Sequence, residues 1–188
     1  MSFDEDAWRD ALEDHRTAKD DYLRDHPHSP LPRTLDDFDG LDYYPPDPDY
    51  RFELSLDVDP EKEDVVVDTT QGGERQYRCW GTFTFRLNGA ERTLAAYRSS
   101  PGEDRLWVPF RDETNGDTTY GAGRYLDLDE DDRIDPDTET WVVDFNLAYS
   151  PFCAYSDAYE CPIVPQENRL DTRVEAGERY DPADFGHE

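Results

Sequence analysis

The spacing of apolar and polar residues changes character twice along the chain. Phe3, Ala7, Trp8, Ala11, Leu12, His15, Ala18 and Tyr22 recur at helical intervals. A helix over residues 3–25 therefore presents one apolar face that can lie on a domain. Ser2 with Glu5 fits a capping box at its start, and Pro27 ends it. The following HPHSPLPRT reads as a linker. After a glycine turn and the proline-rich bend around YYPPDPDY, the period falls to two and a strand is expected over Tyr50–Val58.

Three hairpin signals come next: Gln71-Gly72-Gly73, Asn88-Gly89 and Asn115-Gly116, each flanked by alternating runs. Hairpins make antiparallel neighbours, so these strands form a meander. In the longest one, Tyr77, Cys79, Phe83, Phe85 and Leu87 are expected on the core face, with Thr82, Thr84 and Arg86 opposite. Trp141–Asn146 adds a late strand and Arg173–Glu178 a last one. The predicted fold is all-β and mainly antiparallel. Its meander hides its edges as a barrel-like or coiled sheet, with the N-terminal amphipathic helix packed on it.

The second change of period comes after Trp141–Asn146. Residues 147–170 carry several aromatic rings, Cys153, Cys161, Pro151, Pro162 and Pro165, with no regular period. A long structureless run inside a compact domain is functional or disordered, and disordered segments are poor in aromatics. This run is therefore expected to be an ordered aromatic cap on the sheet. The expected organisation is a helix within residues 1–28, a single β-rich domain over 29–180, and an acidic tail over 181–188.

Composition narrows the setting. The chain has 188 residues and a net charge of -28, with 47 Asp and Glu but lysine only at Lys19 and Lys62. Such charge can signal disorder, but four Trp, twelve Tyr and nine Phe together with clear alternation argue for a folded core. The remaining reading is an acidic surface suited to molar salt, of the kind halophilic archaeal proteins carry. There the screening length falls to about 3 Å and self-repulsion becomes tolerable. The start of the chain has neither the basic nor the apolar region of a signal peptide, and no apolar run is long enough to span a bilayer. A cytoplasmic protein is expected, without nucleic-acid or membrane partners, because both need basic patches. Its cysteines are expected as thiols.

Candidate chemistry is sparse. All four histidines, His15, His26, His28 and His187, lie toward the ends, and no GxSxG elbow occurs, which disfavours Ser-His or Cys-His catalysis. His26 and His28 have no nearby cysteine to complete a zinc pattern. The spacing of Cys153 and Cys161 fits no zinc motif either. With Cys79 they could form a three-sulfur site or a reactive pair, against the simpler reading of buried inert thiols. Gly121 and Gly123 in YGAGRY suit a sheet corner better than a phosphate cradle. Asp127, Asp129 and Asp131 open like a calcium loop, but Asp132 and Thr138 replace its glycine and glutamate. Asp144, Asn146, Glu167 and Asn168 need hydrogen-bond partners if buried among rings. They either tie the cap's backbone to the sheet or face a pocket. In the pocket reading Arg124 anchors an anion, Tyr120, Tyr149 and Tyr155 form walls, and Cys153 and Cys161 stand beside them.

Several stretches taken together resemble one family: SPL at Ser29–Leu31, YYPPDPDYR at Tyr43–Arg51, YGAGRYLDL at Tyr120–Leu128, VDFNLAYSPFCAY at Val143–Tyr155, and CPIVPQENRL followed by VEAGE. It is catalogued as domain of unknown function 1684 and is found in bacteria and halophilic archaea. The stretch Pro162–Gln166 is less proline-dense than the family pattern. The resemblance implies a single-domain unit and supplies no activity. The leading expectation is a non-catalytic domain binding a small molecule between the sheet and the 147–170 cap. The alternatives are a cysteine-based metal or redox enzyme using Cys153 and Cys161, and a scaffold whose cap is an interaction surface. The residues name neither a cofactor nor an oligomeric state.

The charge reading has a direct test. The thermal unfolding midpoint should climb as NaCl is raised from about 0.1 M to about 3 M. Scanning calorimetry checks this, and a midpoint indifferent to salt would remove the reading.

Overall fold

The helical stripe becomes one helix, α1 (Glu5–Asp25), in the computed structural model, which describes residues 3–31, 38–100 and 102–185. Ser2 lies outside the described residues. The cap is supplied by Asp4, whose side chain accepts the Ala7 N–H at 3.1 Å. Leu12 and Leu23 are buried. The polar contacts of α1 go mainly to loops: Arg9 donates to Pro46 O at 2.9 Å and Arg16 to Tyr44 O at 3.0 Å, while the Trp8 indole reaches Asp144 at the end of the last strand.

The strands are β1 (Arg51–Ser55), β2 (Asp57–Val58), β3 (Asp64–Asp68), β4 (Glu74–Leu87), β5 (Ala90–Arg98), β6 (Leu106–Phe110), β7 (Arg124–Leu128), β8 (Arg133–Asp135) and β9 (Thr140–Asp144). All named pairings are antiparallel, as expected. They build two sheets and, among the described residues, no closed barrel, where a barrel-like or coiled sheet is expected. One is β1-β9-β8. The other runs β4-β5-β6-β7, with β2 and β3 sharing the outer edge of β4. The stretch expected as one strand over 50–58 breaks at buried Leu56, whose N–H turns to Glu139 O at 2.8 Å. The chain thereby crosses from one sheet to the other, which divides the strands instead of closing them.

The Asn88-Gly89 signal holds. Leu87 pairs with Ala90, and both turn residues have positive φ, 52° and 81°, as a type I′ turn needs. The glycine-rich turn joins β3 to β4 as expected, with Asp68 opposite Glu74. Asn115-Gly116 does not make a tight hairpin. β6 and β7 do pair, from Phe110 opposite Arg124, but residues 111–123 form a long loop in which Asn115 folds back on Asp112 and Thr119. The expected strand at Arg173–Glu178 is likewise irregular, with a single bridge from Glu178 to Tyr43.

The main core lies between the sheets. Trp141 and Val143 of β9 meet Phe83, Phe85, Leu94, Val108, Phe110 and Leu126 of the larger sheet. A bulge between Cys79 and Gly81 reverses the alternation of β4. Phe83, Phe85 and Leu87 face the core as expected, but Tyr77 and Cys79 are turned to the opposite face. Trp80 packs against the core in their place. The opposite face carries its own aromatic row. Tyr77 stacks on Trp107 at 4.6 Å between centroids, and Trp107 meets Tyr97 at 5.9 Å and Tyr125 at 5.2 Å. The larger sheet is therefore aromatic on both faces.

Gly81 sits where the bulge meets β2, and a Cβ there would stand 2.6 Å from Asp57 O and 2.8 Å from Leu56 Cγ. Gly81→Ala should destabilise the fold by about 1–3 kcal/mol, because backbone must move to admit the methyl group. Denaturant unfolding checks this.

Candidate functional site

Most of the expected site residues lie on, or bond to, the irregular chain that follows β9. Buried backbone without a ladder needs other partners, and the candidates divide into four clusters according to which partners they supply. Asn168 is the clearest. β5 and β6 pair at Tyr97 and Trp107, so continuation of that register sets Ala95 opposite Pro109. Proline has no N–H for this rung. The Asn168 carboxamide fills the gap: it accepts from Ala95 N at 2.8 Å and donates to Ala95 O at 2.9 Å and Pro109 O at 2.7 Å. A side-chain amide thus substitutes for a peptide group. Glu167 beside it accepts the Tyr97 hydroxyl at 2.6 Å, and burial, followed by this carboxylate, pushes the Tyr97 phenol well up.

Arg124 forms the second cluster. It is fully buried over the Phe110 ring and donates to the carbonyls of Val174 at 2.9 Å, Glu178 at 3.3 Å and Ala176. Asp112, also buried, lies 3.5 Å from the same terminal nitrogen that donates to Val174 O, and accepts Val174 N at 2.7 Å and Thr114 Oγ1 at 2.7 Å. The carbonyls expected to pair in a last strand are bonded instead to one guanidinium.

The third cluster lies under α1. The buried Glu178 carboxylate accepts Ser150 N at 3.2 Å, the Tyr155 hydroxyl and the Lys19 ammonium. Burial, then Glu178, raises the Tyr155 phenol far above its ordinary range. Lys19 sits 5.0 Å from the Tyr149 ring centre, and the Tyr149 hydroxyl donates to Asp127 at 2.5 Å. Nearby, Asp144 accepts the Trp8 indole N–H at 2.7 Å and the Asn146 amide N–H groups at 2.8 and 2.9 Å. Asn146 in turn clamps Asp47, accepting its N–H at 2.9 Å and donating to its carbonyl at 2.8 Å.

The fourth cluster holds the sulfurs. The Cys153 N–H donates to Cys161 Sγ at 3.3 Å, and the Tyr120 hydroxyl lies 3.6 Å from Cys153 Sγ. A hydrogen bond from the Cys153 thiol is the main cause that brings the Cys161 thiol down to about 7. Burial opposes that fall, and the Cys153 N–H and the Arg75 charge assist it. Cys153 is pushed up by the same shared proton and by burial. Cys79 does not join them: among the described residues no three His, Cys, Asp or Glu side chains converge as a metal site. Beside the thiols runs an open groove of about 270 Å³ with mostly apolar walls, bordered by Tyr125, Tyr149, Pro151, Phe152, Tyr159 and Cys161, with Arg75 and Glu160 at its side.

Tyr149 and Cys161 line this groove, whereas Tyr120 and Cys153, both half-buried, do not. Tyr155, Asp144, Asn146, Glu167, Asn168 and Arg124 bond elsewhere, to the partners named above. Glu178, Lys19, Asp112 and Arg75 belong to these clusters but were not among the expected residues. Lys19, as one of two lysines, was a signal. Glu178 was read as part of a strand, so its side chain was assigned no partner. No described helix is long and apolar enough to cross a membrane.

Comparison with known proteins agrees with this architecture. A family model described as Protein of unknown function (DUF1684) matches residues 36–179. The solution NMR structure of an uncharacterized protein from Haloarcula marismortui superposes with a TM-score of 0.74 at 45% sequence identity, covering 95% of this chain and 98% of that one. No curated protein matches the chain.

Asn168→Ala leaves one buried donor and two acceptors without partners and should cost about 3 kcal/mol of stability. Asn168→Asp should do no better, since a carboxylate turns lone pairs toward the carbonyls of Ala95 and Pro109. Urea unfolding of both variants checks this.

Proposed function

The chain belongs to the family Protein of unknown function (DUF1684), and from that premise we propose that it binds an uncharged small molecule with a planar apolar part. The site is the groove at the margin of the 147–170 segment. One observation carries the reading: Tyr125, Tyr149, Phe152 and Tyr159 border a single hollow that stays open to solvent. Ring edges and faces at this spacing suit a flat apolar guest, as Phe152 and Tyr159 already meet edge to face at 5.3 Å. Two other hollows are lined instead by aspartates, Asp39, Asp42, Asp181 and Asp184 among them.

Charge selects the ligand class. A net charge of -28 opposes anions at long range, and Arg75 at the wall opposes cations at short range. An uncharged guest meets neither penalty, and its apolar contacts do not weaken as salt screens charge. The polar groups of the wall, the Cys161 thiol and the Glu160 carboxylate, then fix its orientation.

Titration of the isotope-labelled protein with indole, followed by amide chemical shifts, tests this. Indole should move resonances of Phe152, Tyr159 and Cys161, whereas benzoate at the same concentration should not. Phe152→Ala should weaken the indole response about tenfold, the scale of one lost aromatic contact. Shifts confined to other regions, or equal responses to both compounds, would refute the reading.

A further inference from the structure

Cys153 and Cys161 stand at the two ends of a loop, and the sulfur of one rests against the backbone of the other, at 3.3 Å from the Cys153 N–H. Both are free thiols. We propose that they form a reversible dithiol–disulfide site, in which Cys161 attacks a low-molecular-weight disulfide and Cys153 resolves the product. This does not rest on the ligand reading above.

The two sulfurs occupy different environments, and that difference assigns the roles. Cys161 Sγ receives the Cys153 N–H at 3.3 Å, and its thiol is brought down by Cys153 and by the Arg75 charge. Donors collected at one sulfur stabilise it as a thiolate, which is the attacking species. Arg75 is held beside it through a 2.9 Å hydrogen bond to Glu160 O. Cys161 borders the open groove, the side from which an oxidant would approach it, although Cys161 is buried and Cys153 half-buried. Cys153 is half-buried and does not border the groove, and the Tyr120 hydroxyl lies 3.6 Å from its sulfur, where that O–H can donate to the sulfur as it becomes nucleophilic. The backbone on either side is fixed. Cys161 N donates to Thr70 Oγ1 at 3.2 Å and Cys161 O accepts Thr70 N at 3.0 Å. Ala154 N, next to Cys153, closes a turn on Pro151 O at 2.9 Å.

The chemistry balances in two exchanges. The Cys161 thiolate attacks one sulfur of the external disulfide, forming a mixed disulfide and expelling one thiolate, which takes up the proton Cys161 lost. Cys153, giving its proton to the medium or to the second leaving group, then attacks Cys161 Sγ and expels the second thiol. Two protein thiols are oxidised to one disulfide, and the external disulfide is reduced to two thiols. Cys79 is an internal reference. It is half-buried on β4, and burial followed by Asp59 and Glu167 pushes its thiol up, so it should stay reduced.

Oxidised glutathione added to the full-length folded protein tests the proposal, with intact mass and peptide mapping after acid quench. The expected product has lost two hydrogens and contains a Cys153–Cys161 cross-linked peptide, with Cys79 free. Cys153→Ser should instead accumulate one glutathione on Cys161. Cys161→Ser should acquire glutathione about tenfold more slowly. In guanidinium the preference for Cys161 over Cys79 should vanish, which ties it to the fold without relying on any variant. A wild-type protein that gains glutathione at Cys79 as fast as at Cys161, or that never closes the intramolecular bond, would overturn the proposal. Equal rates for the two serine variants would overturn the assignment of roles.

Discussion

The chain after β9 is buried without the regular ladders that normally satisfy a buried backbone, and that requirement shapes the rest of the molecule. Each peptide group hidden from water needs a partner, or costs on the order of 1–3 kcal/mol. Here side chains supply the partners: the Asn168 amide at the gap left by Pro109, the Arg124 guanidinium on the alternate carbonyls of Val174, Ala176 and Glu178, and Asp112 on the Val174 N–H. These groups are buried because their work is internal. An arginine with its terminal nitrogens committed to carbonyls and one carboxylate is a substitute for a strand partner.

That stitching determines where a surface site can exist. The larger sheet offers an aromatic row on the face away from the main core, and the C-terminal run meets it where Glu167 accepts the Tyr97 hydroxyl and where Tyr149 packs on Tyr125. Pro162 O accepts the Tyr125 hydroxyl, and beside it the chain is bonded to the β3–β4 hairpin at Thr70. The groove and the two sulfurs lie beside these bonds. Both follow from the same cause, because a segment pinned at Thr70 and at Tyr125 cannot spread further over the rings.

Local signals were legible in the sequence, and long-range ones were not. Helical spacing located α1, and Asn88-Gly89 located its turn, because each depends on neighbours within a few residues. The face of Tyr77 and Cys79 was misread because one extra residue at Trp80 inverts a period-2 count, and no composition rule marks where a bulge falls. Asn115-Gly116 misled for a related reason: positive φ at a glycine serves a loop turn as well as a hairpin. The polar residues at 144, 146, 167 and 168 were recognisable as buried groups in need of partners. Which partners they take depends on strand register, and Pro109 inside an apolar strand was the clue to Asn168. Glu178 could not be matched to Lys19 from sequence, since nothing local links two positions so far apart.

That last pairing sets an order of events during synthesis. A nascent chain leaves the ribosome from its N-terminus, so α1 emerges first. The carboxylate that receives its lysine, and the Ser150 and Tyr155 groups around that carboxylate, emerge only after β9. Before then α1 can bond to the carbonyls of Pro46 and Tyr44, but Lys19 has no carboxylate to meet, and the helix by itself is marginally stable. Docking of Lys19 on Glu178 therefore has to follow synthesis of every described strand, which makes it a late step in closing this fold.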